Sequence, residues 1–193
     1  MKSILMTAAL CGLAMSAPAE ATDDELTALK AEAAAIVQAF AGELQGELLT
    51  AMKDGGPINA IGICNDKAPT IAKAHEDASG WTVARSSHKL RSGSNAPDDY
   101  TAAVIADFVA REKAGAPAKG LVQAEIVEAD GARVFRFVKA IPTGQPCLNC
   151  HGGDDVAPEV VAKLAELYPE DRARGFSVDQ MRGVFTLSKV LSE

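Results

Sequence analysis

Residues 121–141 read LVQAEIVEADGARVFRFVKAI, and this stretch decides the fold. Apolar and polar residues alternate from Leu121 to Glu128 and again from Ala132 to Ile141, on either side of Asp130-Gly131. A period of two is the pattern of a strand with one buried face, and an Asp-Gly pair between two such runs suits a tight turn with positive φ at both positions. The stretch therefore predicts an antiparallel β-hairpin whose second strand delivers the chain to Cys147. Working outward, Asp98 to about Glu112 reads as a helix with Pro97 suited to its first turn, and Trp81 to Ser86 as a short strand. Between them, Ser87 to Pro97 forms a polar, basic loop. Downstream, Pro158 to Tyr168 predicts a short helix and Met181 to Leu191 a closing strand. The class is α+β, a small antiparallel sheet with helices around it.

Two helical stretches precede the sheet. Thr22-x-x-Glu25 has the form of a capping box, and Leu26, Leu29, Ala33, Ile36, Val37, Phe40, Leu44 and Leu48 recur at spacings of three and four. Gly55-Gly56-Pro57 should stop this long N-terminal helix. Its apolar stripe is either core or a seam for pairing with another copy as a homodimer. The second helix, Ile58 to about Ala78, carries Ile61, Cys64 and Ala68 on one face and is expected to be interrupted at Pro69.

Chemistry concentrates in Cys147-Leu148-Asn149-Cys150-His151, followed by Gly152 and Gly153. A Cys-x-x-Cys-His run in an exported protein reads as an attachment site for one covalent c-type haem. Two thiols at this spacing can add to the two vinyl groups of one porphyrin, and the imidazole of the next residue then lies under the iron. The two glycines permit unusual backbone angles, which would let the chain turn away close to the ring. A redox disulfide between Cys147 and Cys150, half of a zinc site, and chance are the competing readings. No βαβ pattern surrounds the motif to favour the first, and no second close ligand pair favours the second.

An export signal opens the chain. Lys2 supplies a positive n-region, Ile4 to Met15 an apolar core, and Ala19-Glu20-Ala21 a small-x-small cleavage site. Residues 1–21 are thus read as a signal peptide and residues 22–193 as a single domain, periplasmic after cleavage. The apolar run is shorter than the roughly 20 residues a membrane span needs, and nothing later approaches that length. A formal charge of -7 without a basic run argues against nucleic acid or an anionic membrane surface as partner. Cleavage would remove Cys11 and leave Cys64, Cys147 and Cys150, an odd number in an oxidising compartment. If two thiols take haem, Cys64 is either buried and inert or bound to something.

Four pieces of sequence in order carry a family resemblance. They are Ala60 to Pro69; Arg85 to Arg91 with Asn95-Ala96-Pro97-Asp98; Pro146 to Gly152; and Tyr168-Pro169 with Gly175-Phe176 and Met181-Arg182-Gly183. Together they resemble a family of exported c-type haem domains with a PAS-like fold, first catalogued as a domain of unknown function. Members serve as the sensing part of membrane-bound signalling proteins or as standalone haem proteins. The resemblance implies iron held by the motif histidine, His151, on one side and by a cysteine, mapping onto Cys64, on the other. It departs from the family at His88, where an apolar residue is usual, so His88 is a second candidate ligand.

Weighed from the residues, Met52 and Met181 sit in apolar patterns, and His75 lies among charged neighbours where a solvated role is expected. Iron would account for an otherwise unpaired Cys64. Arg85 and Arg91, beside Lys89 on the basic loop, are either solvated or partners for haem propionates. The expected function is a redox- or gas-responsive haem sensor, with NO or CO as ligand and a separate signalling or redox protein as partner. A periplasmic electron-transfer cytochrome is the alternative. Catalysis ranks last, because no acid/base pair is evident near the motif.

Overall fold

Thr22 opens the first helix where the capping signal put it. In the computed structural model, which describes residues 22–191, its hydroxyl accepts the Glu25 N–H at 3.2 Å. Asp23, Asp24 and Glu25 fill the first turn, where the helix dipole favours negative charge. The signal-peptide reading falls on residues outside the described ones.

Helix α1, Asp23–Ser79, is two helices joined by a sharp reversal. Gly55 (φ -154°, ψ 17°) and Gly56 (φ 68°, ψ -166°) leave helical geometry, and the Gly56 combination is one that essentially only glycine adopts. The Asn59 side-chain amide donates to the Ala51 carbonyl at 3.1 Å and closes the turn. The arms then run antiparallel, since Glu43 meets His75 at 3.0 Å and Glu32 meets Trp81, just past the second arm, at 2.8 Å. Gly-Gly-Pro does stop the first helix, as expected. Pro69, however, does not interrupt the second arm, which stays helical through it. Its ring lies on the exposed face, where water can satisfy the Asn65 carbonyl that loses its N–H partner.

Four strands form one antiparallel sheet: β1 (Thr82–Ser86), β2 (Val122–Ala129), β3 (Ala132–Pro142) and β4 (Met181–Val190), in the order β1-β4-β3-β2. The expected hairpin is β2-β3, turning at Asp130 (φ 53°) and Gly131 (φ 77°) with Ala129 opposite Ala132. The last strand inserts between β1 and β3, pairing Ser86 with Val184 and Ala140 with the same residue. At that point β1 presses so close that a side chain on Gly183 would collide with the Ser86 carbonyl.

Both sheet faces are covered. On one, Leu29, Ala33, Val37 and Phe40 of the first arm pack with Ile71 against Trp81, Phe135, Phe137, Phe185 and Leu187. The apolar stripe is therefore core within the chain. On the other, helix α2 (Asp99–Lys113) sets Ile105 and Phe108 against Leu121, Val138, Met181 and Val184. Asp98 caps α2 by accepting the Thr101 N–H at 2.8 Å, so Pro97 stands just before the cap rather than in the first turn. A third cluster joins Ile61 of the second arm to Val160 and Leu164 of helix α4 (Pro158–Leu167), with Val156 beside them. The elements are those of the α+β expectation, with the addition of a four-residue helix α3 (Leu148–His151).

Glu32 ties the first arm to the sheet by accepting from the Trp81 indole and pairing with Lys189 at 3.1 Å. The indole hydrogen bond is the main cause holding its carboxyl below the usual range, against the opposing pull of burial, with Lys189 adding to the lowering. A carboxylate depressed by folding contributes stability above its unfolded value, and this is lost as pH falls through the folded one. Glu32→Gln should therefore be less stable than wild type by about 1 kcal/mol at pH 7. In urea titrations repeated toward pH 3 the gap should close, and a gap unchanged in acid would refute the charge as its source.

Candidate functional site

Strand β3 ends by being stapled to the entrance of β4. Buried Thr143 donates its N–H and its hydroxyl to the Gln180 carbonyl, at 2.7 and 2.8 Å, and accepts the Asp179 N–H at 2.8 Å. The chain then makes a 3-10 turn over Gln145–Cys147 and enters α3, which presents Cys150 and His151. Gly152 follows with φ -65°, an angle open to any residue, so the expected need for unusual backbone angles does not hold there. Glycine is required by closeness instead: a side-chain carbon would lie 2.7 Å from the Leu148 carbonyl oxygen. Residues 171–176 return alongside, with Gly175 N–H donating to Gly152 at 2.8 Å and Phe176 N–H to His151 at 3.0 Å.

His151 sits at the centre of this frame. Its Nδ1 is 2.7 Å from the Ala173 carbonyl. A carbonyl only accepts, so Nδ1 carries the proton and Nε2 bears the free lone pair. The Arg182 Nε lies over the ring, 3.1 Å from Nδ1 and 3.2 Å from Nε2, and the Arg91 guanidinium is 3.5 Å from Nε2. Burial first, then the Arg182 and Arg91 charges, hold the imidazole well below its ordinary value, outweighing the Ala173 hydrogen bond. At neutral pH it is a neutral donor, the form that binds a metal.

Arg91 does most of the local bracing. It reaches Asp171 at 3.2 and 3.3 Å, the Cys150 carbonyl at 2.8 Å and the Ala173 carbonyl at 3.3 Å. The pair with Asp171 is largely buried, the two side chains being 14% and 7% exposed. Arg85, on β1, lies over the Phe40 ring at 5.8 Å, and burial pulls its pKa down while Cys64 and Tyr168 oppose that. Burial pushes the Cys64 thiol up, against Arg85 and Arg91, and the Cys150 thiol up, chiefly against Arg91. These mutual shifts put Cys64, Arg85, Arg91, Cys150 and Tyr168 in one electrostatic neighbourhood. Burial, then Arg91 and Arg85, lower Arg182 to about 10, which leaves it charged at neutral pH.

Cations exceed carboxylates here. Besides the three arginines, Arg174 donates to the Gly153 carbonyl at 2.7 Å and keeps a buried Nε without a partner among the described residues, and Lys89 lies 4.7 Å over the Phe176 ring. Asp171 is committed to Arg91 and to the Ala173 N–H. Beside the motif a cleft of about 480 Å³ opens between the α1 turn and α4, lined by Pro57, Pro146, Leu148, Val156 and Val160. A groove of about 500 Å³ between α1 and β3 holds none of the thiols or guanidiniums of the site. The arrangement offers two thiol nucleophiles, one neutral imidazole, a further thiol and surplus positive charge.

Of the residues singled out in the sequence, Cys147, Cys150, His151, Arg91, Arg85 and Cys64 are brought together, and all three thiols are free. His88 is exposed and packs edge-on against Phe176 at 5.8 Å; His151 packs on the same ring at 6.2 Å. His75 is not the solvated residue expected: it bonds Glu43 and packs 5.7 Å from Phe40, because the antiparallel arms bring that face inward. Met181 is fully buried core. Sequence reading missed Arg182, Asp171 and the Ala173 carbonyl. An arginine between buried Met181 and Gly183 on an apolar strand was the available signal for Arg182; nothing local marks Asp171 or Ala173.

Comparison with known proteins adds the relationship. A family model described as Tll0287-like matches residues 14–189. Among solved structures the chain is similar to the cyanobacterial haem protein Tll0287, with 23% identity, a TM-score of 0.60, and coverage of 90% of this chain and 99% of that one. Identity that low establishes a shared fold. No curated protein matches the chain.

Removing Arg91 would strand a buried Asp171 carboxylate. Arg91→Ala should cost about 3–5 kcal/mol of stability, measured by urea unfolding of the chain. Arg91→Lys should recover only part of this, because a point charge cannot reproduce the forked contacts. Full recovery by lysine would mean that charge alone braces the site.

Proposed function

The chain belongs to the Tll0287-like family, and on that premise we propose that it is an exported c-type haem protein acting as a redox- or gas-responsive sensor. Cys147 and Cys150 attach one haem through thioethers, His151 supplies the proximal nitrogen, and Cys64 supplies the second ligand. The protein works in the periplasm, without catalysis, and hands its state to a separate signalling or redox protein. A haem so bound supplies a one-electron couple and, where an axial position opens, a site for NO or CO.

The observation that carries this reading is the Nδ1–H hydrogen bond from His151 to the Ala173 carbonyl, 2.7 Å long. A backbone carbonyl on the far nitrogen is the usual support of a metal-ligating histidine, since it fixes the tautomer and aims the other nitrogen. The donor set fits haem on two further counts. Cys147 and Cys150 are unpaired at the attachment spacing. The surplus of guanidinium groups at Arg85, Arg91 and Arg182 suits two propionates, for which forked donors are well shaped. Cys64 would be the variable ligand: burial raises its thiol, so a metal held there would have to take the place of a proton. The buried carboxylate beside the motif, Asp171, is engaged by Arg91, which supports a binding role for it. Pro146 and Asn149 are exposed at the motif, and this accessible edge favours electron transfer to a partner as the second reading.

Absorption spectra of the exported, purified protein test the proposal. The expected result is haem that resists extraction and gives an alkaline pyridine spectrum of covalent attachment, lost in Cys147→Ala and Cys150→Ala. A thiolate-type ferric spectrum should give way to CO binding on reduction, and Cys64→Ala should abolish the former. Unchanged six-coordination in both oxidation states would move the assignment to electron transfer. Absence of haem would return the two cysteines to disulfide or metal chemistry.

A further inference from the structure

The first arm of α1 has two faces of different character. One turns Leu29, Ala33, Val37 and Phe40 into the core, and the opposite one is exposed. From Ala28 to Leu49, positions stepping alternately by three and four residues carry only alanine, glutamine, glycine and that final leucine, all of them exposed. This is the spacing of a seam between two helices, and it runs for about 30 Å. Along one flank the carboxylates are already engaged within the chain, Glu32 with Trp81 and Lys189, and Glu43 with His75. Along the other, Ala34 and Ala41 lead into the groove of about 500 Å³ walled by Ile141 and Pro142. Four residues beyond each end of the seam stands a charge, Asp24 before it and Lys53 after it. Both are exposed, and neither joins an ion pair among the described residues. We infer that this face pairs with the same face of a second copy of the chain, the two first arms running antiparallel.

Two glycines point to a close neighbour. Gly42 and Gly46 lie inside the helix, where glycine is less favourable than alanine. A side-chain carbon on either would meet nothing within 4 Å. The single chain therefore has no steric need of them, whereas the backbone of a second helix approaching this face does. Charge decides the direction. A two-fold axis between Gln38 and Ala39 sets Asp24 of each copy opposite Lys53 of the other, so the attraction occurs twice. The same register lays Ala35 against Gly42 and Ala31 against Gly46, small residue on small residue to either side of the axis. It also covers Leu49, which is 49% exposed in one copy, with Ala28. A parallel pair in register would instead bring Asp24 onto Asp24 and Lys53 onto Lys53, with repulsion at both ends. The seam is the reverse of the buried stripe, which stays committed to the core.

Sedimentation equilibrium of the exported, purified chain, with or without haem, tests the pairing. The wild type should show a concentration-dependent dimer. Ala35→Glu would bury two unpaired carboxylates at the seam, and Gly42→Leu would hold the helices apart. Each should raise the dimer dissociation constant at least about tenfold. Both positions are exposed in the single copy, so helix content and the urea midpoint of the monomer should not fall, and two variants of different chemistry cover the failure of either to fold. Lys53→Asp should weaken the dimer by a smaller factor, and adding Asp24→Lys should restore it, a rescue that only the antiparallel arrangement permits. A chain that stays monomeric up to millimolar concentration would overturn the inference. So would a dimer whose affinity neither Ala35→Glu nor Gly42→Leu changes, or one that the exchanged charges fail to restore.

Discussion

The insertion of β4 between β1 and β3 is the constraint on which the rest of this structure depends. Its ladders run from Thr82 opposite Ser188 on one side and from Val134 opposite Val190 on the other. Backbone hydrogen bonds along both edges leave little freedom, since slipping the register by one residue would exchange the two faces of the strand. That register puts Leu187 and Phe185 under the α1 hairpin and Val184 and Met181 under α2. It also draws residues 171–180 across the motif, because the chain must travel from α4 to the start of β4. The site is assembled by this return path: the Ala173 carbonyl, Asp171, Phe176 and Arg182 all arrive with it.

Burial and charge then act together. Few buried environments accept three guanidinium groups, and this one does so by giving Arg91 a buried carboxylate and two carbonyls, and Arg182 a serine and an imidazole. The same burial that lowers Arg85 and Arg182 raises Cys64 and Cys150, and each group partly relieves the other. A region so built is unfavourable for a bare cation and favourable for an anion, while its one imidazole stays neutral. Polar groups are thus paired in advance, with Arg174 Nε the exception at the site.

The α1 hairpin serves this arrangement from the other side. Its reversal at Gly55 and Gly56 carries Cys64 back toward the sheet, and the Glu43–His75 contact holds the arms together midway. Ile61 anchors the second arm on α4 and Ile71 anchors it on the sheet, so Cys64 lies between two fixed points. Family membership and the shared fold agree with this layout.

Much of this was legible in the sequence because it follows from local rules. The capping threonine, the hairpin at Asp130-Gly131 and the Gly-Gly-Pro stop are decided by neighbours a few residues apart, through hydrogen bonds and backbone angles that the nearby side chains themselves set. Where those rules erred, solvent exposure, close approach and packing decided instead. Pro69 is tolerated because its ring faces solvent, Gly152 is needed for a close approach rather than an angle, and His75 is packed because the arms run antiparallel. What only the tertiary structure decided is the company that His151 keeps. His151 is 22 residues from Ala173, 31 from Arg182 and 60 from Arg91, and Arg91 is 80 from Asp171, and no periodicity links them. Sequence alone determined which atoms could bind a metal; the central placement of β4 determined what surrounds them.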